Sequence, residues 1–162
     1  MKSDSRARSA RVLVALAVVV LVAIGSLPAQ VRSDYSKRTE MVRMRDGVSL
    51  YTEIWTPVSR SVPLPLLIER TPYNAANIGP RMSNRYQLLA DEGYIFVFQD
   101  VRGKYQSEGT FMIIRPPRDT TRGEMVDETT DANDTIDWLL ANVEGHNGRV
   151  GMVGISYGGW LT

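Results

Sequence analysis

The chain has 162 residues, 43% of them hydrophobic and 23% charged, and a formal net charge of +1. That suits one domain of modest size with enough apolar residues for a core, and the lack of a basic stripe interleaved with aromatics argues against nucleic acid as a partner. Cysteine is absent, which excludes disulfides, zinc–thiolate sites and a cysteine nucleophile together and leaves the redox compartment undetermined.

The charge is unevenly placed. Lys2, Arg6, Arg8 and Arg11 stand against Asp4 alone, ahead of an unbroken apolar run from Val12 to Ile24 and then Gly25-Ser26-Leu27-Pro28-Ala29. A basic start, a short apolar run and a small residue at a cleavage point describe a signal peptide over 1–29, ending at Ala29. The run falls short of the ~20 residues that a spanning helix needs, so an uncleaved membrane anchor is the alternative. The sequence therefore predicts a periplasmic or secreted protein that meets the membrane only during export. Residues 30–40 are polar and are expected to form a flexible mature N-terminus.

From Met41 the pattern becomes that of a fold. Met41 to Arg45 and Val48 to Trp55 read as two strands joined at Asp46-Gly47, a pair suited to a hairpin turn with φ > 0 at both positions. A proline-punctuated loop leads to a buried strand, Leu64 to Arg70, which ends at Thr71-Pro72-Tyr73. Ser83 to Glu92 reads as a helix capped by Ser83 and closed by Gly93. Tyr94 to Gln99 is the next buried strand, and Asp100 to Met125 is irregular. Asp127 to Val143 reads as a helix with acids in its first turn and Ala132, Ile136, Leu139, Leu140 and Val143 on one face. A glycine-rich strand, Gly148 to Gly154, comes last. A hairpin followed by strand–helix–strand–helix–strand implies an α/β fold, mostly parallel, with helices packed on the sheet.

At the end of that strand, Gly154-Ile155-Ser156-Tyr157-Gly158 matches G-x-S-x-G. A serine on a tight strand-to-helix turn projects its Oγ clear of the sheet, and side chains two residues either side would collide there. Ser156 is thus the candidate nucleophile. Attack on a carbonyl develops an oxyanion that needs hydrogen-bond donors. The backbone N–H of Tyr157 is one candidate, and the loop after the third strand should supply another. Tyr73 stands in that loop. Its hydroxyl could reach across the crevice, or its ring could simply pack at the strand end, and chemistry alone leaves the two readings level.

Three motifs in order, Arg70-Thr71-Pro72-Tyr73, Asp100-Val101-Arg102-Gly103-Lys104-Tyr105 with Ser107-Glu108-Gly109, and Gly154-Ile155-Ser156-Tyr157-Gly158-Gly159, resemble the CocE/NonD hydrolases of the X-Pro dipeptidyl-peptidase (S15) group. The resemblance runs from about Thr39 to Thr162. Arg115-Pro116-Pro117, Asp127 to Asp131 and Asn147 to Met152 look most like the α-amino acid ester hydrolase and glutaryl-cephalosporin acylase branch. Gly158, where that branch carries glutamate, and Gln106, where relatives often carry glycine, depart from it. The resemblance implies the N-terminal part of an α/β-hydrolase fold, with Ser156 as nucleophile and the Tyr73 hydroxyl and Tyr157 amide as oxyanion donors.

A serine nucleophile needs a base and an orienting carboxylate, which in α/β-hydrolases follow it in the order Asp, His. Only six residues follow Ser156, and His146 precedes it at the far end of its strand, where it reads as a solvated loop residue. The sequence is therefore expected to be part of a longer enzyme, with an unpaired sheet edge that would leave the isolated chain poorly soluble or molten. Asp131, Asp134 and Asp137 read as a solvated helix face, Asp100 and Arg102 as residues ordering their own loop, and Trp138 and Trp160 as core. No cofactor or metal is implied. The expected substrate is a small ester, amide or short peptide, and self-association of the full-length protein stays open. Two other readings remain. One is an inactive truncated product or exported binding remnant. The other is a prolyl-oligopeptidase-type peptidase, for whose propeller domain the stretch before Ser156 leaves no room.

Overall fold

The computed structural model describes residues 35–79, 85–123 and 125–162, so the readings made for 1–29, for 30–34 and for Ser83 lie outside the described residues. Five strands form one sheet: β1 (Tyr35–Arg43), β2 (Ser49–Pro57), β3 (Leu64–Thr71), β4 (Ile95–Asp100) and β5 (His146–Met152). Their spatial order is β1-β2-β4-β3-β5. The sheet has the expected make-up, a leading antiparallel hairpin beside parallel strands with helices on it, and is mixed as a whole. The β1–β2 hairpin docks antiparallel on β4, while β4, β3 and β5 run parallel. Among the described residues four α-helices accompany it: α1 (Ala75–Ile78), α2 (Gln87–Asp91), α3 (Glu128–Asn142) and α4 (Tyr157–Trp160).

Strand β4 shows why this sequence makes a two-faced sheet. All six of its residues are buried. Because successive side chains alternate between faces, Ile95 and Val97 join Ile54, Leu66, Ile68, Leu139 and Val143 on the α3 side. Phe96 and Phe98 point the other way, to Leu67, Ala75, Ile78 and Tyr86. A continuous apolar run is what a strand covered on both faces requires.

Some boundaries differ from the sequence reading, each for a local reason. Strand β1 begins at Tyr35, inside the stretch expected to be flexible. Its polar residues pair in register with β2 as far as Pro57, and the Tyr35 hydroxyl donates to the Tyr94 carbonyl at 3.0 Å. The hairpin turn needs a left-handed residue only at Gly47, φ 89°. Gly47 N–H bonds to the Met44 carbonyl and Met44 N–H to the Val48 carbonyl, the three-residue loop closed by a left-handed glycine. Strand β5 starts at His146 and ends at Met152, two residues earlier than expected at each end. His146 is consequently a strand residue and not a solvated loop residue, with Nε2 3.1 Å from the Leu140 carbonyl and Nδ1 accepting from Gly148 N–H.

Helix α3 differs most in what it buries. Asp127 caps it, accepting from Thr130 N–H while the Thr130 hydroxyl accepts from Asp127 N–H. Its buried residues are Thr130, Asp131, Thr135 and Leu139. Asp131, expected on a solvated face, is 1% exposed and receives Arg102 through two bonds of 2.7 and 3.0 Å. Arg102 also grips Asp46 in the hairpin turn at 2.6 Å. A charge buried this deeply needs such a partner, since desolvation otherwise drives it to neutrality. Asp134 pairs with Arg45 at 2.6 Å. Arg70, fully buried, donates to Gln99 Oε1 and to the Glu128 carbonyl, and Gln99 donates in turn to Thr52 and Thr135. Helix α3 is thus fastened to the sheet by polar bonds as well as apolar contact. Trp138 packs half-buried against the core, whereas Trp160 is 46% exposed.

Candidate active site

The parallel strands β3 and β5 are neighbours, and both of the sequence's principal candidates lie just beyond their C-terminal ends. In sheets of this kind the crevice outside those ends is where ligands bind. Strand β5 continues along β3 through the bond from Val153 N–H to the Ile68 carbonyl at 2.9 Å, then turns sharply at Ser156 into α4.

Ser156 has φ 59° and ψ −124°. This lies outside the regions open to L-residues without strain, including the left-handed helical well with its positive ψ. The turn holds because Gly159 N–H and Trp160 N–H both bond back to the Ser156 carbonyl, at 2.9 and 3.3 Å. Its tightness explains the flanking glycines. A Cβ on Gly154 would land on the backbone of Gly158, and one on Gly158 would stand 3.3 Å from the Arg70 carbonyl. Ser156 occupies the N-cap position of α4, yet its side chain makes no capping bond. The hydroxyl is therefore not consumed by the fold. It stands exposed at the head of a helix whose first N–H groups have no intrahelical acceptors.

Tyr157 is the first residue of that helix, so its N–H is among those open donors. Its side chain leaves the crevice: the phenolic oxygen accepts from Ile114 N–H at 2.9 Å and the ring packs on Phe111 and Trp160. Tyr73 stands in the loop just after β3. It is 55% exposed and lines the same crevice, so it is no buried ring at a strand end. Tyr73 N–H bonds to the Thr71 hydroxyl at 3.0 Å, and Asn74 after it takes a left-handed φ of 73°.

The crevice has a volume of about 710 Å³, and its lining includes Thr71, Tyr73, Ile78, Ile155, Ser156 and Gly158. Two charged residues that sequence reading did not single out join them. Glu69, 3% exposed, accepts from the Tyr86 hydroxyl at 2.8 Å and pairs with Arg85 at 2.9 Å. Burial pushes its carboxyl above the ordinary glutamate value, against the pull of Tyr86 and Arg85. Its signal was legible, because an acid inside an otherwise apolar strand must have a partner. His146 lies at the opposite end of β5 from Ser156.

A serine held in strain between a parallel strand and a helix, over a crevice at the strands' C-terminal ends, defines an α/β-hydrolase type of site. Comparison with known proteins gives the same class. Residues 46–162 match the model of the X-Pro dipeptidyl-peptidase (S15) family, and the chain belongs to that family. It is 36% identical over 120 residues to the cocaine esterase of Rhodococcus sp. (strain MB1 Bresler), covering 72% of this chain and 18% of the esterase. A solved α-amino acid ester hydrolase is 43% identical with a TM-score of 0.74, and an aminopeptidase from a marine sediment Thaumarchaeota archaeon is 39% identical with the same score. Each of these two matches covers 84% of this chain and 24% of the other. A CocE/NonD family hydrolase from Staphylococcus aureus, at 21% identity and a TM-score of 0.56, shares the fold. The chain thus spans about a quarter or less of the cocaine esterase, the α-amino acid ester hydrolase and the aminopeptidase.

Proposed function

We propose that the protein hydrolyses an ester or amide by acyl transfer to Ser156 and then to water. The observation that carries this reading is the strained, uncapped serine of the elbow, at φ 59° and ψ −124°, exposed in a crevice that Tyr73 also lines. In the first half-reaction Ser156 Oγ attacks the substrate carbonyl carbon and loses its proton to a base. The carbonyl electrons move onto oxygen, where the Tyr157 N–H and the Tyr73 hydroxyl donate hydrogen bonds to the developing charge. Collapse of that intermediate expels the alcohol or amine and leaves acyl-Ser156, which water cleaves by the same route. The base and its orienting carboxylate are not assigned among residues 35–79, 85–123 and 125–162. Activity of this kind is assigned to the full-length protein and not to residues 35–162 alone. The relatives named above, an esterase, an aminopeptidase and an ester hydrolase, support a small acyl substrate. We read the N-terminal segment as its export signal.

Labelling with a fluorophosphonate tests the assignment. The full-length protein should incorporate the probe at Ser156, with Ser156→Ala silent. Undiminished labelling of that variant would sink the reading.

A further inference from the structure

The oxyanion reading of Tyr73 raises a mechanical question: what holds a half-exposed tyrosine, on a loop, in one place over the crevice? Its own N–H is tied back to Thr71, at the end of β3. The next anchor is a side chain from another strand. Asp100, the last residue of β4, lies directly beside Thr71 in the parallel register and is fully buried. Its Oδ1 accepts from Ala75 N–H at 2.7 Å, a short bond. Tyr73 and Asn74 are therefore clamped between a bond to Thr71 and a bond to Asp100. Within the clamp, Asn74 is left-handed, and its own side chain accepts from Ala76 N–H at 3.1 Å. A non-glycine residue stays in that conformation only where its surroundings over-determine it.

Asp100 is itself immobilised. Its carbonyl accepts from the Ser107 hydroxyl at 2.7 Å, and that oxygen accepts from Tyr51 N–H at 2.9 Å, which ties β4 to β2. The adjacent Val101 N–H closes on the Thr71 carbonyl at 3.0 Å. Yet Asp100 is not among the residues that line the crevice. Burial pushes its carboxyl above the ordinary aspartate value, with the Ala75 and Gln106 N–H groups opposing that rise. Of the two backbone N–H groups on this carboxyl, that of Ala75 is the one that closes the Tyr73-Asn74 turn.

Resting on the role given to Tyr73 above, we propose that Asp100 is a positioning residue: its bond to Ala75 N–H fixes the Tyr73-Asn74 turn and so aims the Tyr73 hydroxyl at the oxyanion. It acts through Tyr73. Loss of the clamp lets Asn74 relax toward negative φ and carries the hydroxyl off the oxyanion, where a displacement of ~1 Å is enough to cost up to ~10²-fold in rate.

The test is a double-mutant cycle in the full-length protein, following acylation by a p-nitrophenyl ester. Tyr73→Phe should slow acylation by ~10²-fold. Asp100→Ala should lower kcat by ~10-fold or more with KM little changed, but by less than ~3-fold when Tyr73 is already Phe. Asp100→Asn, which keeps one acceptor for Ala75 N–H, should recover most of the loss. Should Asp100→Ala fail to fold, Asn74→Ala probes the same clamp from within the turn and should show the same silence in the Tyr73→Phe background. Equal effects of the Asp100 or Asn74 change in both backgrounds would overturn the positioning role while leaving Tyr73's intact. An unchanged rate in Tyr73→Phe alone would remove the reading on which the proposal rests.

Discussion

The strain at Ser156 makes a prediction in which chemistry and stability point in opposite directions. A residue held at φ 59° and ψ −124° costs about 1–3 kcal/mol when it carries a Cβ. Glycine occupies that conformation without the steric penalty but loses more backbone freedom on folding, by about 0.5–1 kcal/mol. Ser156→Gly should therefore be more stable than Ser156→Ala by about 1 kcal/mol. That corresponds to roughly 2–4 °C in Tm for a domain of ~150–250 residues. The comparison is clean because both variants lack Oγ and both should be blind to fluorophosphonate, so any difference reports the backbone alone. Thermal unfolding of the two side by side measures it. If the alanine variant matches or exceeds the glycine variant, the elbow stores no strain, and the account of why Gly154 and Gly158 flank the serine loses its physical basis.

Two further outcomes follow from the charged residues of α3. Asp131→Ala strands Arg102, 5% exposed, with Asp46 as its remaining carboxylate, and should cost about 3 kcal/mol in an unfolding titration. A loss below about 1 kcal/mol would show that Asp46 and water replace the partner. Asp134 is held below the ordinary aspartate value by the hydrogen bond from the Arg45 side chain, which outweighs burial. A depressed folded-state value means that its stabilisation is complete above the unfolded pKa and fades as pH falls through the folded one. Tm should therefore drop below about pH 4, and Asp134→Asn should flatten that drop. An identical acid limb in the variant would assign the loss to other carboxylates.

What could be read from the sequence alone follows from how far each constraint reaches along the chain. The elbow was legible because its steric rule acts within five residues: Gly154 is small because Gly158 is close, and both fold around the same serine. Strands β3 and β4 were legible because burial on both faces demands a mostly apolar run, Leu66 to Ile68 in one and Ile95 to Phe98 in the other. The hairpin was found but its turn misread, since Asp-Gly fits more than one loop and only the bond between Met44 and Val48 decides which. Asp131 was assigned to the wrong environment for a longer-range reason. Nothing in helix α3 tells a solvated aspartate from a buried one; the distinction is made by Arg102, from a loop after another strand, and by Asp46, from the hairpin, to which Arg102 is also bound. Asp100 does order its own loop, through Gln106 N–H and the Ser107 hydroxyl, but nothing in that stretch announces the further bond from Ala75 N–H to its carboxyl. Polar residues that act across the fold have no period of their own. They mark positions where the sequence leaves a charge unexplained, and in this protein those positions ring the C-terminal ends of β3, β4 and β5, where Ser156 stands.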